Sequence, residues 1–337
     1  LASTLSVGGA SNFASTVTVV GATALKSTVT VGGATNFGST VTVVGATHLQ
    51  STASVGGAAT FASTVTVVGA AALKSNVTVG GTLDVTGNTS VGGTFMATGA
   101  ATFDNHVSVS GNVNIGGTTT IAGAVSLAST LSVGGASSFL STVTVAGAGT
   151  FKDSISVSGN VNIGGTTTIA GAVSLASTLS VGGASNFAST VTVVGAAALK
   201  SNVTVGGTLD VAGNTSIGGT FMATGAATFD DDVSVSGNVN IGGTTTIAGA
   251  VSLASTLSVG GAANFASTVT IAGAAIFEDA VSVSGAVNIA GNTSVGGTFL
   301  ATGKAEFEDD VSVSGALIVG GAAQLNSTVT VVGNAVF

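Results

Sequence analysis

The sequence predicts an all-β protein, a parallel β-solenoid of 56 hexapeptide repeats spread over 337 residues (56 × 6 + 1). Three observations predict it. An apolar residue recurs at every sixth position from Val7 to Phe337 without an insertion or deletion. Glycine is abundant, at 53 residues, and proline is absent. Ser, Thr or Gly interrupts every apolar stretch, so no run approaches the ~18 residues of a membrane-spanning helix, although the mean hydropathy is +0.72.

The strand comes first. Positions i and i+2 share one face of a strand, so Val17 and Val19 point inward while Thr16, Thr18 and Val20 point outward. Inward positions across the chain, among them Val7, Phe13, Val19, Leu25, Phe37, Phe61, Phe103 and Phe151, form the expected core. The corner follows. Two residues after each recurring apolar position, from Gly9 onward, stands Gly, Ser, Asp or Asn. Gly9, Gly21, Gly33 and Gly45 are expected corners, because tight turns often need the positive φ that Gly, and next Asn and Asp, tolerate. The absence of Pro leaves every backbone N–H free to join a ladder between coils. One hexad cannot fold alone. Ordering it costs roughly 6–12 kcal/mol of backbone entropy, and burying two apolar side chains returns roughly 3–6 kcal/mol. Stacking must supply the rest, as in solenoids generally.

Volumes are compensated inside each hexad. Phe13 is paired with Ser11, Phe37 with Thr35, Phe61 with Ala59, Phe103 with Ala101 and Phe151 with Gly149; the order reverses at Phe95 with Ala97, Phe221 with Ala223 and Phe299 with Ala301. Tight interiors punish both cavities and overpacking.

Three cross-sections compete. Residues 3–86 alternate a Val/Val hexad with a Thr/Leu or Ser/Phe one, which fits a flat 12-residue coil with two sheets. A triangular coil takes three hexads, either all from one chain or one from each of three intertwined chains. The segment beginning at Gly111 recurs at Gly159 and nearly so at Gly237. The step from 159 to 237 is 78, which divides by 6 but not by 12 or 18. Copies therefore move between faces, and equivalent faces favour the triangle. The chain begins and ends in mid-pattern. Residues 1–337 are therefore expected to be one continuous shaft without an internal boundary, cut from a longer protein.

Val7-Gly8-Gly9-Ala10-Ser11-Asn12 and Leu73-Lys74-Ser75-Asn76-Val77-Thr78 resemble the hexapeptide pattern of left-handed parallel β-helices, with Leu, Ile or Val first, a small or acidic residue second and a small or Val residue fifth. The resemblance covers the whole chain, although Val20, Lys26 and Gln50 depart at the second position. Many members of that family are acyltransferases with a catalytic His and extruded loops; this chain has no such loops, so the activity is not carried over. The tandem wording STLSVGGA and STVTVVGA also resembles shafts of phage and large-virus tail fibres and bacterial adhesin stalks. That resemblance implies a structural role at a cell or virion surface.

Composition narrows function. Charged residues make up 5% of the chain and the net charge is −8, whereas nucleic-acid binding needs a basic stripe. There is no Cys, hence no disulfide and no thiolate metal site. His48 lies at an outward strand position and His106 beside a corner, neither with a second His nearby, and no Ser–His–Asp arrangement can be singled out. No catalytic residue, cofactor or resident metal is expected. Asp230, Asp231 and Asp232 are a weak Ca²⁺ candidate, since that ion takes six to eight oxygens, but their side chains should diverge. Gly-Gly pairs such as Gly8-Gly9, Gly32-Gly33 and Gly116-Gly117 lack the strand–helix context of a phosphate loop. The pairs Thr16/Thr18, Thr28/Thr30 and Thr40/Thr42 would line one face of a 12-residue coil and resemble ice-binding rows of insect antifreeze proteins. The expected function is therefore the rigid, non-catalytic shaft of an extracellular or virion-borne fibre. Self-association as a homotrimer or end to end is expected, anchoring and receptor-binding domains lie elsewhere, and neither nucleic acid nor membrane insertion is involved. The alternative is an ice- or polysaccharide-binding solenoid.

Overall fold

A computed structural model describes residues 1–337 and contains no helix. It consists of three-residue strands, the last shortened to Ala335–Val336, separated by three-residue corners, in two compact units, residues 1–170 and 171–337. Each unit holds 28 strands, three to a coil, and so just over nine coils. All pairing is parallel and joins residue i to residue i+18: Leu5 to Thr23, Ser11 to Val29, Val17 to Thr35. In the first unit the strands starting at Leu5–Val7, Ser11–Phe13 and Val17–Val19 each found a sheet that gains one strand per coil. In the second unit the three sheets start at Val173–Leu175, Leu179–Val181 and Ser185–Phe187.

This register decides the cross-section. A 12-residue coil would set Val17 beside Val29, and an intertwined trimer would give each layer one hexad per chain. Instead Val17 pairs with Thr35 and Val29 with Thr47 of the same chain. The coil has three sides built from one chain, which corrects the flat 12-residue alternative. The ladder continues beyond the strands. The N–H of a strand's first residue donates to the next coil, as Leu5 to the Ala22 carbonyl (3.0 Å) and Val29 to that of Ala46 (2.9 Å). The N–H just after a strand donates to the previous coil, as Val44 to Leu25 (2.9 Å).

The two-hexad alternation that suggested a flat coil has a different use. A coil holds three hexads, an odd number, so a two-hexad alternation places unlike hexads on each other along every sheet. Phe61 lies between Val43 and Val79, and Phe37 between Val19 and Val55. Farther on, Phe103 lies between Val85 and Ile121, and Phe151 between Val133 and Ile169. Rings meet across a coil instead. Phe95 and Phe103 make an edge-to-face contact at 6.0 Å, and Phe221 and Phe229 repeat it at 6.1 Å. Such contacts add about 0.5–1.5 kcal/mol to burial. In the sequence the two copies are a whole number of coils apart, so this duplication preserves a ring's position within its coil. Val19, Leu25, Phe37, Phe61, Phe103 and Phe151 are buried; Val7 and Phe13, covered only by the following coil, are half-buried.

The corners also depart from expectation. No residue, glycine included, has a positive φ. Glycine is needed for close approach instead. A Cβ on Gly21 would stand 2.6 Å from the Ser3 carbonyl carbon of the preceding coil, and one on Gly69 2.5 Å from that of Ser51. Gly33 and Gly45 would collide with the Ser15–Thr16 and Ser27–Thr28 backbones. The register explains where Ser, Asp and Asn are tolerated. Within each unit, no two adjacent coils carry a side chain at the same corner position, Asp309 and Ser327 excepted. Gly45, for example, lies between Ser27 and Ser63.

Gly45→Ala is expected to cost about 1–3 kcal/mol, the usual range for overpacking. Gly9→Ala should cost clearly less, because nothing lies within 4 Å of its Cβ position. Denaturant unfolding compares the two, and equal losses would refute the steric account of the corners.

Candidate functional site

The outer surface offers two kinds of position, the middle residue of each strand and the three residues of each corner. The coil distributes the predicted Thr pairs over all three faces. Thr18, Thr30 and Thr42 occupy the middles of Val17–Val19, Val29–Val31 and Val41–Val43, one in each sheet of the first unit. Thr16, Thr28 and Thr40 precede those strands as corner residues. Their ladder neighbours are mostly not Thr: Thr18 adjoins Asn36, and Thr30 adjoins Asn12 and His48. The expected single face of Thr pairs is therefore not formed, because it depended on the two-hexad coil. Short Thr rows form elsewhere, as Thr42, Thr60 and Thr78, or Thr102 and Thr120.

The acidic run occupies one corner, and its groups are separately engaged. Asp231 Oδ1 accepts the Asp232 N–H at 3.0 Å. Asp232 Oδ1 accepts the N–H of Ala250, one coil on, at 2.7 Å. No group of three or more His, Asp or Glu side chains converges to hold a metal ion. Asp231 and Asp232 thus cap backbone, and with Asp230 they do not form an oxygen cage. The charge itself is uneven. Residues 1–170 contain three Lys and three Asp and are neutral; residues 171–337 contain two Lys and ten acidic residues, a net −8.

Asp232 belongs to a pattern that sequence reasoning missed. At several corners the N–H of the residue just before a strand donates to a polar side chain of the preceding coil. Asn76 Oδ1 accepts from Thr94 at 3.0 Å, and Asn202 Oδ1 from Thr220 at 3.0 Å. Some links run in series. Asn214 caps Asp232 (3.2 Å), which caps Ala250; Asn292 caps Asp310 (3.2 Å), which caps Thr328 (3.0 Å). His106 holds the same place, capped by Asn88 (3.3 Å) and accepting the Ala124 N–H on Nδ1 at 2.9 Å. The recurring Asn before strands was the available signal, but it acquires meaning only once the coil length is known. His48 projects from the middle of Thr47–Leu49, between Thr30 and Thr66.

Gly8-Gly9, Gly32-Gly33 and Gly116-Gly117 are corners. The interior holds a void of about 30 Å³ lined by core side chains including Val29, Phe37, Leu49, Phe61 and Phe95, with no ionisable group. Outside, a shallow concavity of about 470 Å³ runs over Thr244, Thr246, Asn264, Ser282 and Leu300, again without an ionisable group. No protein-family profile, curated protein or solved structure matches the chain.

The geometry of its corner alters the titration of Asp310. The Ser327 hydroxyl (2.7 Å) and then the Thr328 N–H hold its pKa below the ordinary value. A lowered pKa contributes stability above the unfolded-state value and loses it as pH falls through the folded-state value. Asp310→Asn keeps an acceptor that does not titrate. The difference between wild-type and variant melting temperatures is expected to change only in the acid range. Parallel curves from neutral pH down through the acid range would remove this role for Asp310.

Proposed function

We propose that the chain is a structural element, the rigid shaft of an extracellular or virion-borne fibre or filament, and that it carries no catalysis. The observation that supports this reading is the uninterrupted coil: within each unit every corner is three residues long, and none extrudes a loop that could frame an active site. A shaft has to be stiff, repetitive and chemically quiet. In-register ladders on three sides supply stiffness. The rarity of charge and the dispersal of His48, His106 and the Asp230–Asp232 corner leave no cluster of reactive groups. In this reading anchoring and receptor recognition belong to other segments or subunits, and copies of the shaft associate with one another as complete solenoids, in threes or end to end. The ice-binding alternative is not favoured, since Thr16/Thr18, Thr28/Thr30 and Thr40/Thr42 fall on three faces.

Electron microscopy of the purified chain tests the proposal. Stiff rods are expected, lengthened by about 5 Å for each additional coil, the spacing of neighbouring strands. Single substitutions of His48, His106 or Asp231 should leave the rods unaltered. Flexible or globular particles, or measurable thermal hysteresis at high concentration, would overturn the reading.

A further inference from the structure

We propose that His106 is a proton-operated latch on one corner of the first unit, holding the next coil when neutral and releasing it when protonated. The observation is the direction of one hydrogen bond. The Ala124 N–H donates to His106 Nδ1 at 2.9 Å, so Nδ1 carries no proton and the neutral ring keeps its hydrogen on Nε2. Protonation places hydrogens on both ring nitrogens and abolishes the acceptor. The Ala124 N–H has no backbone acceptor to take its place.

The corner is built closely around this contact. Gly123 lies against the Asn105–His106 backbone so tightly that a Cβ there would collide with it. The His106 N–H is itself held by Asn88 Oδ1 at 3.3 Å, which continues the series into the preceding coil. The second unit has the same arrangement with Asp232 in place of His106: Asn214 precedes it, and Ala250 donates to it at 2.7 Å. Asp232 is a carboxyl group, which keeps an acceptor oxygen whether or not it is protonated. An imidazole loses its acceptor on protonation. The two corners are therefore alike in geometry and differ in whether protonation removes the acceptor.

The groups around His106 are few. Asp104 shares its corner, and Asp84 is in the middle of Leu83–Val85, the strand leading into the preceding corner. The corners Thr86–Asn88 and Ala122–Ala124 contain no ionisable group, nor do the strands Thr89–Val91, Val107–Val109, Thr119–Ile121 and Val125–Leu127.

Residue-resolved hydrogen exchange on the full chain tests the latch, with protection factors correcting for the intrinsic pH dependence of exchange. Between pH 8 and pH 5 the protection of the Ala124 amide is expected to fall roughly fivefold, the scale of one hydrogen bond in water. Ala250 should hold its value. His106→Asn, which keeps an acceptor of the kind Asn76 provides, should flatten the Ala124 profile. His106→Ala should give low protection at both pH values. Constant protection of Ala124 in the wild type, or an equal fall in His106→Asn, would overturn the proposal.

Discussion

Each residue of a ladder stands beside its counterpart one coil away, i beside i+18. That in-register, parallel contact is the constraint on which the rest of the structure depends. Neighbouring strands are about 4.8 Å apart, so whatever occupies one position in a coil must coexist with its counterpart directly above and below. The core meets this demand by placing Phe between aliphatic residues, as Phe61 between Val43 and Val79. The corners meet it with glycine, which lets one backbone settle against another. The two solutions share one cause: a solenoid relaxes a steric conflict only along its axis, where the next coil is already present.

The same constraint bears on charge. Like charges directly opposite in a ladder are destabilising, and a stack of coils would multiply that cost. None of the five Lys and 13 acidic residues has a charged counterpart one coil before or after it in the sequence. Asp84 adjoins Thr66 and Thr102, and Glu306 adjoins Asn288 and Gln324. Where carboxylates are admitted at corners, the next coil finds work for some of them. Asp232 and Asp310 accept N–H groups that the backbone ladder leaves over. Sparse charge and the recurrence of Asn before strands are thus consequences of the stacking distance.

Much of this was legible in the sequence. The strands could be read from pairs such as Val17 and Val19, which share a face, and the corners from the Gly, Ser, Asp or Asn that follows. The coil size was harder to read, because the strongest periodicity in residues 3–86 is two hexads while the structural period is three. Periodicity in a sequence reports how hexads alternate, whereas coil size depends on which hexads meet in space. The error about the Thr pairs followed from that ambiguity, since a face is defined only after the coil is closed. The corner glycines were placed correctly but for the wrong reason: proximity of the preceding coil, invisible in one hexad, is what excludes a Cβ at Gly21 and Gly69. The caps by Asn76, Asn214 and His106 escaped notice because donor and acceptor belong to successive coils and are far apart in the sequence.

The fixed register also bears on how such a chain reaches its native state. All-β folds usually fold slowly, since their pairings join distant parts of the sequence. Here each ladder contact joins i to i+18, which over residues 1–170 is a relative separation of about 0.11, within the range of helical bundles. Lengthening a unit lowers this ratio, because new coils add contacts of the same span. Each added coil can form against a finished template, and the loop it must close is no longer than the last. A longer solenoid of this kind need not be slower to propagate, although its first coils, with no template beneath them, carry the cost of nucleation.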